Sequence, residues 1–199
     1  MRLYPIDQVH DLFQRKGYVP LRMDGILNLV GVRLSRIATN RFDDTFIAIV
    51  YTRNGIIMRH YACTTDPGEH YLLHGLEKGT AILKPGQYVD AYALGKHQGK
   101  YTALVQVAPV TVYRDTTKDT SLDYTREETG MFGINIHRAN PSVTSAQVDK
   151  WSAGCTVIAS PNDFNDLINL AFSHKPHGHG RFTYTLLEDA DFWSIEHVR

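Results

Sequence analysis

The residues best suited to covalent chemistry in this chain are one histidine and one cysteine, each in a short motif. His137 lies in Gly133-Ile134-Asn135-Ile136-His137-Arg138, and Cys155 in Lys150-Trp151-Ser152-Ala153-Gly154-Cys155-Thr156-Val157-Ile158. A thiol of ordinary pKa is mostly protonated at neutral pH, and an imidazole able to take its proton increases the thiolate available to attack a carbonyl. Gly154 lets the backbone turn tightly just before the sulfur, so the N–H groups of Ala153, Gly154 and Cys155 are candidates to converge on an oxyanion. One such donor contributes about 3 kcal/mol to a transition state. Thiol, imidazole and unpaired amides are the parts of an acyl-transfer site, with a thioester on Cys155 as its intermediate. Spacing alone also fits a plainer reading, in which the cysteine is a small core hydrophobe and the histidine a structural donor.

Strands must position these groups. Period-two alternation places Ile134 and Ile136 on one face and Asn135 and His137 on the other, so the histidine projects from the polar side near a strand end. A second strand begins at the cysteine. Apolar runs over residues 46–51, 56–63, 103–107 and 110–113, separated by Gly, Asn, Asp and Pro, predict a mainly β protein with short helices. Arg53-Asn54-Gly55 predicts a hairpin, and Thr65-Asp66-Pro67-Gly68 and Lys84-Pro85-Gly86 predict further turns. Residues 5–16 read as an amphipathic helix burying Val9, Leu12 and Phe13 and stopped by Gly17. A later helix starts at Pro161 behind an N-cap at Ser160, with Leu167, Leu170, Ala171 and Phe172 as its buried stripe. Residues 181–187 predict a strand with Phe182, Tyr184 and Leu186 on one face. Residues 115–129 predict a long polar loop or lid, with Asp115, Asp119 and Asp123 as solvated or turn residues.

Composition narrows the class. A chain of 199 residues suits one sizeable domain, and 43% hydrophobic with 21% charged residues excludes wholesale disorder, collagen-like sequence and coiled coil. Lys plus Arg and Asp plus Glu balance at 21 each, without the basic excess that marks a nucleic-acid binder. Cys63 and Cys155 are too few for a disulfide framework and lack the paired spacing of a zinc site, so no metal or other cofactor is expected. Cys63, inside an apolar run, reads as packing. His174, His177 and His179 sit among turn formers without a carboxylate or cysteine partner and read as a surface loop. No run approaches the roughly 20 apolar residues of a membrane span, and the N-terminus lacks the pattern of a secretory signal. If its substrate lies outside the cytoplasm, the protein is then expected to be cytoplasmic until something delivers it. Nothing in the sequence speaks to oligomeric state.

His137, then fourteen residues, then Ser152-Ala153-Gly154-Cys155, resembles the L,D-transpeptidase catalytic domain family of the YkuD type, whose signature is a histidine, a similar spacer and Ser/Thr-His-Gly-Cys. Upstream, Cys63-Thr64-Thr65-Asp66-Pro67-Gly68 is similar to the strand and Thr-Pro-Gly type turn near the start of that domain, and Gly95-Lys96-His97-Gln98-Gly99 falls where such domains build one side of the cleft. The resemblance covers about residues 56–168. It implies a β-sandwich or barrel catalytic domain over residues 51–199, with residues 1–50 as an N-terminal extension packed on it. Two departures stand out: Ala153 replaces the histidine between Ser and Gly, and Val157 replaces the arginine or asparagine two residues after the cysteine.

The resemblance implies peptidoglycan stem peptides as partner and substrate, with Cys155 as nucleophile and His137 as base and then acid. An amine acceptor gives a cross-link and water gives trimming; the delivered character favours hydrolysis by a phage-lysin or effector type of enzyme. The alternative is a non-catalytic wall-binding or virion structural module that retains the fold. With Val157 apolar, Arg138, Arg114 or Lys150 would supply the cation for a substrate carboxylate, and the planar guanidiniums suit it best. Ser152 either supports the site or caps its own turn. His97, between flexible neighbours, either meets ligand or lies in a surface loop. Trp151 forms a cleft wall or a core anchor, and Tyr113 is equally ambiguous.

Overall fold

Strands whose alternate residues are apolar bury one face by curling on themselves, and most of this chain does so. The computed structural model describes all residues except 21, 35, 36, 76, 175, 177–179 and 194–199. In chain order the elements are α1 (Ile6–Lys16), β1 (Leu27–Arg33), β2 (Asp44–Thr52), β3 (Gly55–Thr64), α2 (Glu69–His74), β4 (Thr80–Leu83), β5 (Gly86–His97), β6 (Tyr101–Gln106), β7 (Val110–Asp115), β8 (Glu127–Gly130), β9 (Ile136–Arg138), β10 (Thr156–Ile158), α3 (Pro161–Ser173), β11 (Phe182–Glu188) and α4 (Ala190–Trp193). Eight strands close a barrel in the order β1-β11-β5-β6-β9-β10-β3-β2, and β4-β7-β8 form a separate three-stranded sheet. The chain is thus mainly β with short helices. Closure leaves the barrel without free edges.

The barrel interior is filled by Leu29, Phe46, Tyr61, Tyr92, Leu104, Ile136, Ile158, Phe182, Tyr184 and Leu186. Gly31 on β1 admits the Tyr184 ring, whose hydroxyl would lie 2.1 Å from a Cβ at that position. That hydroxyl meets Thr156 Oγ1 at 2.9 Å, tying the interior to β10. The small sheet alternates as strands should: Ala81 and Leu83 join the barrel core, while Ile82 packs with Ala38, Leu72, Tyr113 and Leu122.

Helix α1 forms as its pattern predicts, ending at Gly17 with φ 68°. Its Val9, Leu12 and Phe13 lie on the outer face of the barrel against Val30, Val32, Ile47, Ile49 and Leu187. Covered on both faces, β1 is buried throughout. The expected division at residue 50 falls inside β2, and β1 and β2, both begun within the first fifty residues, are two of the eight staves, whereas α1 packs outside the barrel. Ser160 caps α3 by accepting the Asp163 N–H at 3.3 Å. The buried stripe of α3 is Phe164, Leu167, Ile168 and Ala171, with Leu170 at its edge; Phe172 is exposed, because helical spacing from Phe164 and Ile168 carries the core face past it. Residues 115–129 are not wholly a loop, since β8 pairs with β7 over Glu127–Gly130. Within that stretch the Asp115, Asp119 and Asp123 side chains each accept the backbone N–H two residues on.

Candidate active site

The site is built where β10 pairs in parallel with β9, Thr156 beside Ile136 and Val157 beside His137. Ile136 and Ile158 face the barrel interior, which sends Asn135, His137, Cys155 and Val157 to the outer face. Thiol and imidazole therefore share one side of adjacent strands. The register offsets them, because Cys155 precedes the Thr156–Ile136 pair and His137 follows it, a stagger of about 7 Å along the strands at ~3.3 Å per residue. The sulfur accepts the Asn135 N–H at 3.4 Å and directs its S–H to the Gly133 carbonyl at 3.4 Å. Among the described residues no hydrogen bond joins it to an imidazole.

The turn before the sulfur is held from several sides. Gly154 has φ +118°, and a Cβ there would stand 2.2 Å from the Ala81 carbonyl oxygen, so only glycine fits against β4. Ser152, fully buried, donates its hydroxyl to the Cys155 carbonyl at 2.8 Å and accepts the Gly154 N–H at 3.2 Å. The Ser152 carbonyl in turn accepts the Gly68 N–H at 2.8 Å, which fastens the Asp66-Pro67-Gly68 turn beneath the loop. Ser152 thus braces the turn, and the Gly154 N–H, expected among the oxyanion donors, is already engaged. The amides of Ala153 and Cys155 have no protein partner among the described residues.

Cys155 and Ala153 line a cavity of about 610 Å³ whose walls include His97, Arg114, Phe132 and, from α2, His70 and His74. A second cavity of about 460 Å³ is lined by His97, His137, Arg138, Lys150 and Trp151. His97 walls both. It ends β5, is buried rather than part of a surface loop, and stacks on His137 with ring centroids 4.0 Å apart. Asn135 donates its amide N–H to His97 Nδ1 at 3.0 Å; its orientation follows from Oδ1, which accepts the Gln106 N–H at 2.9 Å. His97 therefore carries its proton on Nε2. His137 donates from Nδ1 to the Arg138 carbonyl at 2.8 Å, which leaves Nε2 as the acceptor. Two neighbouring imidazoles thus present opposite polarities.

Burial sets the charge state. Desolvation, reinforced by His97, pushes His137 down to about 3. Desolvation pushes Cys155 up to about 11, only partly opposed by the Asn135 N–H. Burial and then Lys100 hold His97 below the usual imidazole range. At neutral pH the resting site is a protonated thiol beside uncharged imidazoles, so the thiolate enrichment expected from the residue types is absent in this state.

The other sequence candidates fall as follows. Arg138 holds its guanidinium 4.2 Å from the Tyr101 ring centroid at the second cavity. Arg114 is paired with Glu128 at 2.7 Å and lies over Phe132 at the rim of the thiol cavity. Trp151 is 39% exposed and forms a cleft wall, not a core anchor. Tyr113 and Cys63 are buried. His174 caps the end of α3, and His177 and His179 lie outside the described residues. Sequence reasoning passed over Asn135, although alternation had already placed it beside His137, and also His70 and His74, which reach the cavity only because α2 docks there. No protein-family model matches the chain, and no curated protein matches its sequence.

Proposed function

We propose that this protein is a cysteine-nucleophile acyltransferase of the L,D-transpeptidase type, acting on peptidoglycan stem peptides through a thioester, with water as the favoured acceptor. The observation that carries the reading is the half-buried Cys155 in a cavity of about 610 Å³ beside the two unengaged amides of Ala153 and Cys155. Cys155 lines a cavity with room for a water molecule, which supports hydrolysis of an acyl-enzyme.

In the proposed reaction the Cys155 side chain turns from Gly133 to another staggered rotamer toward His137. Its proton passes to Nε2 as sulfur attacks the carbonyl carbon, so no charged pair needs to exist beforehand. The new oxyanion accepts from the Ala153 and Cys155 amides. Collapse breaks the C–N bond, and the imidazolium returns the proton to the departing amine. Water then gives a proton to His137 and attacks the thioester, and Cys155 leaves as the thiol. Arg138 and Lys150 line the neighbouring cavity where a carboxylate of the peptide would sit.

The test is incubation of the protein and a Cys155→Ala variant with purified muropeptides, followed by mass spectrometry. Loss of terminal D-alanine or cleavage of a cross-link, dependent on Cys155, is expected. A new dimer would shift the reading to transpeptidation. Muropeptides left unchanged by the unmodified protein would leave the non-catalytic wall-binding or virion module.

A further inference from the structure

We infer that His97 is a further catalytic residue, whose Nε2–H donates to the substrate carbonyl oxygen as that oxygen becomes an oxyanion. The inference deepens the acyl-transfer reading and rests on it. His97 lines the cavity that holds Cys155, whereas His137 lines only the neighbouring one. Its tautomer is set by a chain of contacts: the Gln106 N–H orients the Asn135 amide, and that amide donates to Nδ1, which forces the proton onto Nε2. Nε2 has no protein partner among the described residues. The same Asn135 donates its backbone N–H to the sulfur, so one residue holds both the thiol and the donor ring.

The chemistry favours a donor over a second base. With Nδ1 occupied by an incoming N–H, His97 has no open lone pair with which to accept the thiol proton. An uncharged imidazole N–H is a weak acid, so it polarises a carbonyl without surrendering its proton. It would add a side-chain donor to the two backbone amides, compensating for the Gly154 N–H that Ser152 occupies. Stacking on His137 at 4.0 Å fixes the ring before substrate arrives, so orienting it costs little during the reaction. The division of labour follows: His137 moves the proton and His97 holds the charge.

Steady-state kinetics on the muropeptide cleaved by the unmodified protein would test this with His97→Phe, which keeps a flat ring and removes the N–H, and His97→Gln, whose amide N–H can replace it. Expected are a kcat lower by about a hundredfold in the phenylalanine variant with KM within about twofold, recovery of at least about tenfold by glutamine, and an unchanged rate of Cys155 alkylation by iodoacetamide. If phenylalanine abolishes the cooperative melt, His97→Asn, which keeps an acceptor for Asn135 and is shorter, replaces it with the same expected loss. A KM rise at constant kcat would make His97 a ground-state binding residue and overturn the inference, as would alkylation slowing in step with kcat. Variants as active as the unmodified protein overturn it alone. Absence of any Cys155-dependent turnover removes the acyl-transfer reading and this inference with it.

Discussion

Alkylation of Cys155 as a function of pH reports directly on its resting environment. With the thiol pushed up to about 11, the thiolate at pH 7 is about one part in ten thousand, against about 3% for an ordinary thiol near 8.5. The deficit of thiolate is about 300-fold, and the greater nucleophilicity of a higher-pKa thiolate offsets about tenfold of it, so modification by iodoacetamide at pH 7 should run about 20- to 30-fold slower than a free cysteine, before any loss from restricted access. The rate should climb about tenfold for each pH unit between 7 and 10 without a plateau, since the group remains on the acid side of its titration. Because the sulfur's contacts are the Asn135 N–H and the Gly133 carbonyl, His137→Ala should leave the profile in place. Cys63 is fully buried with its own thiol raised well above the usual range, so a Cys155→Ala protein should label only on unfolding. Mass spectrometry of quenched time points supplies the rates. A plateau below pH 9, or a rate that collapses in His137→Ala, would falsify the uncharged resting site and show a preformed thiolate–imidazolium pair.

His137 makes a second pH prediction. Its folded pKa of about 3 lies below the ordinary 6.5, so the unfolded chain binds the proton first and stability falls as pH drops from 6.5 toward 3. At pH 5 the loss is about 2 kcal/mol, and the pH dependence of the stability difference between the unmodified protein and His137→Gln should show it in urea titrations. An identical acid dependence in the two proteins would remove His137 as its source. Gly154→Ala places a Cβ 2.2 Å from the Ala81 carbonyl at φ +118°, and a cost of about 3 kcal/mol or more should appear as a lowered Tm. An unchanged Tm would mean that the turn and β4 separate freely. Ser152→Ala strands the Gly154 N–H and the Cys155 carbonyl and should cost about 1–3 kcal/mol, with turnover reduced and partly restored by Ser152→Thr. Full turnover at lowered stability would show that the turn does not need this brace to act.

What sequence alone determined is whatever depends on near neighbours along the chain. The α1 boundary at Gly17, the Ser160 cap, the late strand through Phe182, Tyr184 and Leu186, and the shared face of Asn135 and His137 all follow from spacings of a few residues, which set backbone preference and side-chain direction. The tertiary structure decided the rest. Cys155 and His137 end up staggered because strand register, not motif spacing, positions them; the Gly154 amide is taken because a buried serine folds back onto it; and His97 becomes part of the site because the end of β5 comes to rest on His137. Even the charge state of the thiol belongs to this level. Desolvation is a property of everything packed around a group, and those atoms come from segments far apart in the chain.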